Sequence, residues 1–195
     1  MKRPRNSPLQ LSKWSYRADF FVYPLLIAGL ALRSLWGASP HAAGHWFVAT
    51  VAGLLAWTAV EYALHRWVLH RVPPFRHLHA LHHAHPGALI GTPTWVTAAL
   101  FLGLWAALAS GTPAAVAAGL TTGLMTGYLA YAVVHDAVHH RRARPGSWLD
   151  GAKRRHAQHH RPGATCNFGV STGVWDAVFG SAVDPGRVVG DKARP

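Results

Sequence analysis

HWFVATVAGLLAWTAVEYALHRWVLH, residues 45–70, holds the two properties that decide how this chain is read. Residues 45–64 are almost wholly apolar and carry one charge, Glu61. As a helix, that stretch is about 30 Å long, the thickness of a bilayer's hydrocarbon core. His65 and His70 follow at once, beside Arg66. A membrane-crossing helix that ends in two potential metal ligands is the starting point.

Working outward, three more apolar runs appear: FFVYPLLIAGLALRSLW at 20–36, PTWVTAALFLGLWAALA at 93–109 and PAAVAAGLTTGLMTGYLAYAVV at 113–134. Each is long enough for a span of roughly 25–33 Å. The expected fold is therefore all-α and integral to the membrane, with four transmembrane helices in two hairpins. Pro24 falls in the first turn of its helix, where proline is tolerated, and Arg33 is near enough to the far end to snorkel. The polar lead of 1–19 is long for the n-region of a signal peptide. The expected division is a basic cytosolic segment at 1–19, a membrane domain at 20–181 and a flexible tail at 182–195.

Charge sets the expected orientation. Lys and Arg number 5 in 1–19, 3 in 65–92 and 10 in 135–195, and the loops 37–44 and 110–112 have none. The positive-inside rule then puts both ends and the 65–92 loop in the cytosol. Trp36 and Trp46 flank the outer loop, and Trp67 and Trp95 the inner one. Gly119, Gly123 and Gly127, four apart, give the last span a smooth face for a neighbouring helix of the same bundle.

Composition excludes several classes. Half the chain is hydrophobic and 13% is charged, about half the charged share of a soluble domain. The net charge of +12 fits an anionic membrane surface better than nucleic acid, since no nucleic-acid-binding module is recognisable. One cysteine, Cys166, leaves no disulfide framework, Cys-type zinc site or iron–sulfur cluster. Seven scattered acidic residues are too few for a carboxylate-bridged di-iron bundle. No Gly-rich dinucleotide fingerprint is present.

Histidine is the outlier, with fifteen copies. His65 and His70 form H-x4-H. His77, His79, His82, His83 and His85 lie in RHLHALHHAHP. His135, His139 and His140 form H-x3-HH, and His156, His159 and His160 form H-x2-HH. All thirteen fall in segments that charge alone assigns to the cytosolic side. His41 and His45 fall on the other side and are excluded as ligands.

Residues at i and i+3 or i+4 share a helix face. An H-x2-HH motif thus presents its first and third histidines together and turns the middle one toward a second metal. Five residues, by contrast, sweep about 140° around an α-helix, so His65 and His70 meet at one centre only if the helix bends or they approach from different heights. Imidazole suits iron, zinc and copper alike, and an all-imidazole shell keeps anionic side chains away from hydrocarbon. A lone histidine at a helix end is ordinarily a cap or solvated. Four separate clusters on one side of a membrane call for a shared metal site. His77 and His85 fit a surface or supporting place better than ligation.

At these residues the chain resembles the fatty acid hydroxylase / sterol desaturase superfamily. The stretches that carry the resemblance are EYALHRWVLH at 61–70, HALHHAHP at 79–86, HDAVHH at 135–140 and RHAQHHRPGATCNFGVSTGVWDAVFGS at 155–181, in order over about 15–181. The resemblance implies four membrane helices and a cytosolic helical cap over a dimetal centre. It implies as ligands His65, His70, His79, His82, His83, His135, His139, His140, His156, His159 and His160. It also implies two iron ions with O2 as co-substrate. Zinc can replace iron in purified protein but has no redox state to use. Glu61, Asp136 and His77 are candidates for accepting the second ring N–H of a ligand. Glu61 and Asp136 serve equally well as helix-end partners for a nearby arginine.

Within the superfamily, GTPTW and the NFG…WD…FG ending are similar to the 2-hydroxylases of sphingolipid acyl chains. Tyr131-Ala132 departs from the Tyr-Asp of that branch, and Asp136 after His135 resembles carotenoid ring hydroxylases. The implied activity is O2-dependent hydroxylation of a fatty acyl chain at carbon 2. The alternatives are carotenoid ring hydroxylation, sterol oxidation or desaturation, and, in another class, a non-enzymatic membrane metal-binding protein, which would want histidines at the midplane or on both faces. A haem domain is not expected: His85-Pro86-Gly87 matches a fragment of its motif but sits inside a histidine cluster.

The implied partners are a lipid drawn from the bilayer and an external donor of the ferredoxin or cytochrome type. The implied location is a bacterial cytoplasmic membrane or the endoplasmic reticulum. Arg141, Arg142, Arg144, Arg154 and Arg155 read as positive-inside anchors before they read as a docking site. Val174, Trp175, Val178 and Phe179 make an apolar stripe that packs on the cap or lies at the interface.

Overall fold

The computed structural model describes residues 10–184. The expected segments 1–19 and 182–195 therefore lie partly outside the described residues. Among those described, the chain is mostly helical and has no strand, only an isolated bridge between Gln10 and Ile90.

A short helix α1 (Lys13–Arg17), capped by the Ser12 hydroxyl, leads into α2 (Asp19–Leu35). The apolar run of 45–64 lies in α3 (Pro40–Ala63). Proline at the first helical position has no N–H to leave unpaired, and Ser39 caps the Ala42 N–H. The helix continues without a break as a π-helical turn, Leu64–Leu69. Helix α4 (Phe75–Ala84) carries the second histidine cluster and ends at His85. Helices α5 (Thr94–Ala109) and α6 (Ala114–His140) follow, then α7 (Trp148–His159) and the short α8 (Val174–Val178).

Among the described residues, three helical stretches are long and apolar enough to cross a membrane: Lys13–Leu35, Pro40–Leu69 and Ala114–His140. Thr94–Ala109 is apolar but has 16 residues. The helices turn apolar side chains outward, with Leu25, Phe47, Leu55 and Leu100 63% to 74% exposed. Water would reject such a surface, and hydrocarbon accepts it.

The longest interface joins α3 to α6, and the glycines explain it. A methyl group built on Gly119 or Gly123 would fall on the backbone carbonyl of Trp46 or Thr50. On Gly127 it would meet the Trp57 ring, and on Gly53 the carbonyl of Leu120. The two backbones touch because nothing stands between them, so the glycine face serves packing within the bundle. The core beside it collects Tyr23, Leu30, Ala118 and Met125.

Length then positions the site. At 1.5 Å per residue α6 is about 40 Å long, and α3 with its π turn about 45 Å, against a hydrocarbon core of about 30 Å. The histidines sit on the surplus turns at the same end of both helices. Helix α7 is tied to that end. Ser147 caps it through the Asp150 N–H, and Lys153 donates to the Val138 and Arg141 carbonyls at 2.9 and 2.7 Å, filling acceptors left open at the end of α6.

Candidate metal centre

The helices deliver the histidines in two groups. Ring nitrogens of His65, His70, His79, His83 and His159 all lie within 4.8 Å of one another, and so do those of His82, His139, His156 and His160. The groups abut, with the His83 and His160 rings stacked at 4.1 Å.

Helical spacing explains the sorting. In α4, His79 and His83 share a face and the first group, while His82 is turned into the second. In α7, His156 and His160 enter the second group and His159 the first. Both of these HH pairs are thus split between the groups, because adjacent residues sit about 100° apart on a helix. His65 and His70 reach the same group through the π turn. Its i→i+5 hydrogen-bond pattern stacks residues five apart, which no regular α-helix does.

Three of the expected residues fall differently. His135 lies beside the second group, its ring 4.7 Å from His139 and 4.9 Å from His82. His140 is exposed and edge-on to Tyr16 at 6.0 Å, outside both groups. With His135 and His139 on the inner face of α6, the next residue points away. His77 is exposed on α4. His41 and His45 pack on each other at the start of α3, at the opposite end of that helix.

The donor chemistry fits cations. His65 Nδ1 faces the Phe168 carbonyl, and His159 Nδ1 faces the Cys166 carbonyl at 2.9 Å. Each Nδ1 must donate, which leaves Nε2 bare. Those Nε2 atoms converge with their neighbours: His65 to His79 at 3.0 Å, His70 to His159 at 3.1 Å and His83 to His79 at 3.0 Å. In the second group, both ring nitrogens of His82 and of His160 and Nδ1 of His156 are buried without a hydrogen-bond partner among the described residues. Buried polar atoms are nearly always paired, and each group is a set of donors that could hold a metal ion.

Neither carboxylate singled out in the sequence touches an imidazole. Glu61 accepts from the backbone of Val170 and Ser171, and Asp136 pairs with Arg141 at 3.5 Å. For His65 and His159 the second ring N–H goes to a backbone carbonyl instead. No side-chain pattern reveals these acceptors, although the NFG of 167–169 contains one of them.

Burial keeps the imidazoles neutral, as ligands must be. It pushes His82, His159 and His160 down to about 3 and His83 to about 4, with neighbouring imidazoles adding to the effect. Because these values lie below the ordinary 6.5, the unfolded chain binds more protons than the folded one at acid pH. Stability is then complete above about pH 6.5 and falls as the pH drops toward 4. Thermal unfolding of metal-stripped protein is expected to show a flat midpoint from pH 7 to 8 and a falling one below 6. A midpoint unchanged down to pH 4.5 would contradict a neutral buried cluster.

A cavity of about 380 Å³ reaches both groups, lined by His70, His83 and His160 with Arg76 and Arg161 beside them.

Comparison with known proteins agrees with this geometry. The chain is similar to fatty acid 2-hydroxylase of Rattus norvegicus, 31% identical over 140 residues that cover 66% of this chain and 38% of the relative. It is similar to dihydroceramide fatty acyl 2-hydroxylase FAH2 of Arabidopsis thaliana, 31% identical over 138 residues, 66% of this chain and 58% of the relative. It thus spans about two fifths to three fifths of these relatives' length. The fold is shared with a solved structure described as full-length scs7p with only the hydroxylase domain visible. The TM-score is 0.70 at 23% identity, covering 92% of this chain and 69% of that one. The model of the fatty acid hydroxylase family matches residues 50–181, from within α3 to the turn after α8, a segment that carries both histidine groups, and the chain belongs to that family.

Proposed function

We propose that the chain is an O2-dependent membrane monooxygenase that hydroxylates a fatty acyl chain, at carbon 2, with two iron ions held by the two histidine groups. The observation that carries this reading is the pair of groups itself, nine imidazoles gathered with no carboxylate or thiolate among them. His65, His70, His79, His83 and His159 hold one ion. His82, His139, His156 and His160 hold the other, with His135 beside them. The 2-hydroxylase relatives supply the substrate class.

When bound, iron would supply the redox chemistry that activates O2; with two electrons from an external ferredoxin- or cytochrome-type donor and two protons, the products would be one hydroxylated lipid and one water. The protein's part is placement. Bare Nε2 lone pairs fix the ions, and the Phe168 and Cys166 carbonyls hold two of the rings in one tautomer. Tyr131 stacks on His135 at 5.5 Å, and Tyr128 and Trp57 continue an aromatic wall into the bundle. That wall keeps water from the site and offers an apolar track to an acyl chain entering between helices.

The same reading places the chain in the membrane with four spans, the last of them Ala114–His140 and the third Thr94–Ala109. The short third helix is met by local thinning of the bilayer, with Trp95 as its interfacial anchor. The charge distribution puts the histidine end in the cytosol. Cysteines placed at 88 and 150 are expected to be labelled from the cytosolic side and one at 41 from the other. Labelling of 41 and 150 from one side would overturn this topology.

The test of function is lipid analysis of cells with the wild-type chain and with a chain lacking one histidine from each group. The expected result is acyl chains heavier by one oxygen, at carbon 2, in the first alone. Oxygen found only on sterol or carotenoid would move the activity to another branch of the family.

A further inference from the structure

Beneath the first histidine group, four consecutive amide N–H groups end on two buried carboxylates. Phe168 N–H donates to Asp176 Oδ1 at 2.8 Å and Gly169 N–H to Asp176 Oδ2 at 2.7 Å. Val170 and Ser171 N–H donate to Glu61 Oε1 at 2.7 and 2.9 Å. The Ser181 hydroxyl gives Asp176 a third donor at 2.7 Å, and the Ser171 hydroxyl reaches Glu61 Oε2. Asp176 is 2% exposed and Glu61 4%, and neither has a cationic partner among the described residues. Burying two carboxylates is expensive, and successive N–H groups are a recognised way of holding an anion without a counter-charge.

The arrangement faces the metal centre. With its amides drawn to one side, the segment turns the Phe168 carbonyl to His65 Nδ1 and the Cys166 carbonyl to His159 Nδ1. Gly169 has no room for a side chain, since a methyl there would strike the Thr172 carbonyl. Asn167 takes the left-handed conformation at φ 52° and is held by Gln158 and Val183. Nothing comparable supports the second group, where Nδ1 of His156 and of His160 has no acceptor among the described residues.

We propose that Asp176 and Glu61 are positioning residues for the first metal position alone: by clamping residues 168–171 they aim the two carbonyls that fix His65 and His159. The two positions are therefore unequal, the first preorganised by its carbonyl acceptors and the second set by the ion it receives. The inference rests on the dimetal reading above.

The full-length chain in lipid nanodiscs, titrated with Co(II) from a metal buffer, gives metal content per chain and a ligand-field spectrum for each position. Wild type is expected to fill two positions in sequence. Asp176→Asn keeps the side chain's size but leaves an amide opposite an N–H. It is expected to weaken the first position about tenfold to a hundredfold, alter that position's spectrum and leave the second unchanged. Equal weakening of both positions would mark Asp176 as merely structural and overturn the proposal, as would wild-type affinities at both. Should that variant not accumulate, Ser181→Ala removes one of the three donors and is expected to weaken the same position severalfold, no shift being the overturning result. Wild-type protein that takes up no metal would overturn the dimetal reading and this inference with it.

Discussion

Hydroxylation is expected to vanish in His139→Ala and His160→Ala and to survive in His140→Ala. The first two remove imidazoles of the second group, and no carboxylate or thiolate lies among the remaining donors to fill the gap. The loss should exceed about a hundredfold, the upper range for residues that only support a ligand, and bound metal should fall from two per chain to one. Thermal stability should drop with it, because metal binding and folding are coupled. His140 is the sharper half of the test. It is next to a second-group histidine in sequence and part of an HH pair, yet it is exposed and rests against Tyr16. His41→Ala and His45→Ala should behave like His140→Ala, since His45 lies twenty residues before His65, about 30 Å along one helix. Metal content measured beside product formation separates loss of a ligand from loss of folding. An inactive His140→Ala protein with a fully active His139→Ala would overturn the assignment of these groups.

The second large effect lies far from the metals. Gly123→Ala is expected to destabilise the bundle by about 3 kcal/mol, the upper part of the usual range for overpacking. The added carbon would meet the Thr50 carbonyl and lie 2.7 Å from the Leu54 N. Both are backbone atoms, which cannot rotate aside as a side chain can. Helix α6 must then move off α3, and the Trp57 contact below Gly127 is lost with it. Gly103→Ala, on α5 with nothing within 4 Å of the new carbon, is the matched control and should be neutral or slightly stabilising. Unfolding in mild detergent, followed by intrinsic tryptophan fluorescence, compares the two. Equal stability would mean that the α3–α6 contact is looser than its geometry.

Much of this was legible in the residues, for reasons that can be named. The long apolar helices α3 and α6 were readable because a bilayer demands about twenty apolar residues in a row, and no other solvent does. The sorting of His79, His82 and His83, and of His156, His159 and His160, into two groups follows from 3.6 residues per turn. His140 is the instructive exception. The same rule that set the middle histidine aside in two motifs sets the last one aside in the third, and resemblance alone does not reveal it. The His65–His70 spacing posed the question that the π turn answers, but hydropathy has no signature for a π turn. The carbonyls of Cys166 and Phe168 were out of reach for a different reason. Every residue has a carbonyl, and the segment that carries these two is held by Asp176 nearby and by Glu61, 109 residues before Val170.

The π turn at Leu64–Leu69 also has a mechanical meaning. It works like one extra residue let into an otherwise regular screw, so the thread above it and the thread below it are out of phase by about a residue's rotation, roughly 100°. The membrane part of the helix can be dressed for lipid and for α6, while the part below is aimed at the metals, and neither register constrains the other. Deleting one residue within the turn would let the screw close into an ordinary α-helix. With the deletion between His65 and His70, the two histidines would lie four apart and still share a face, because the π turn does with five residues what an α-helix does with four.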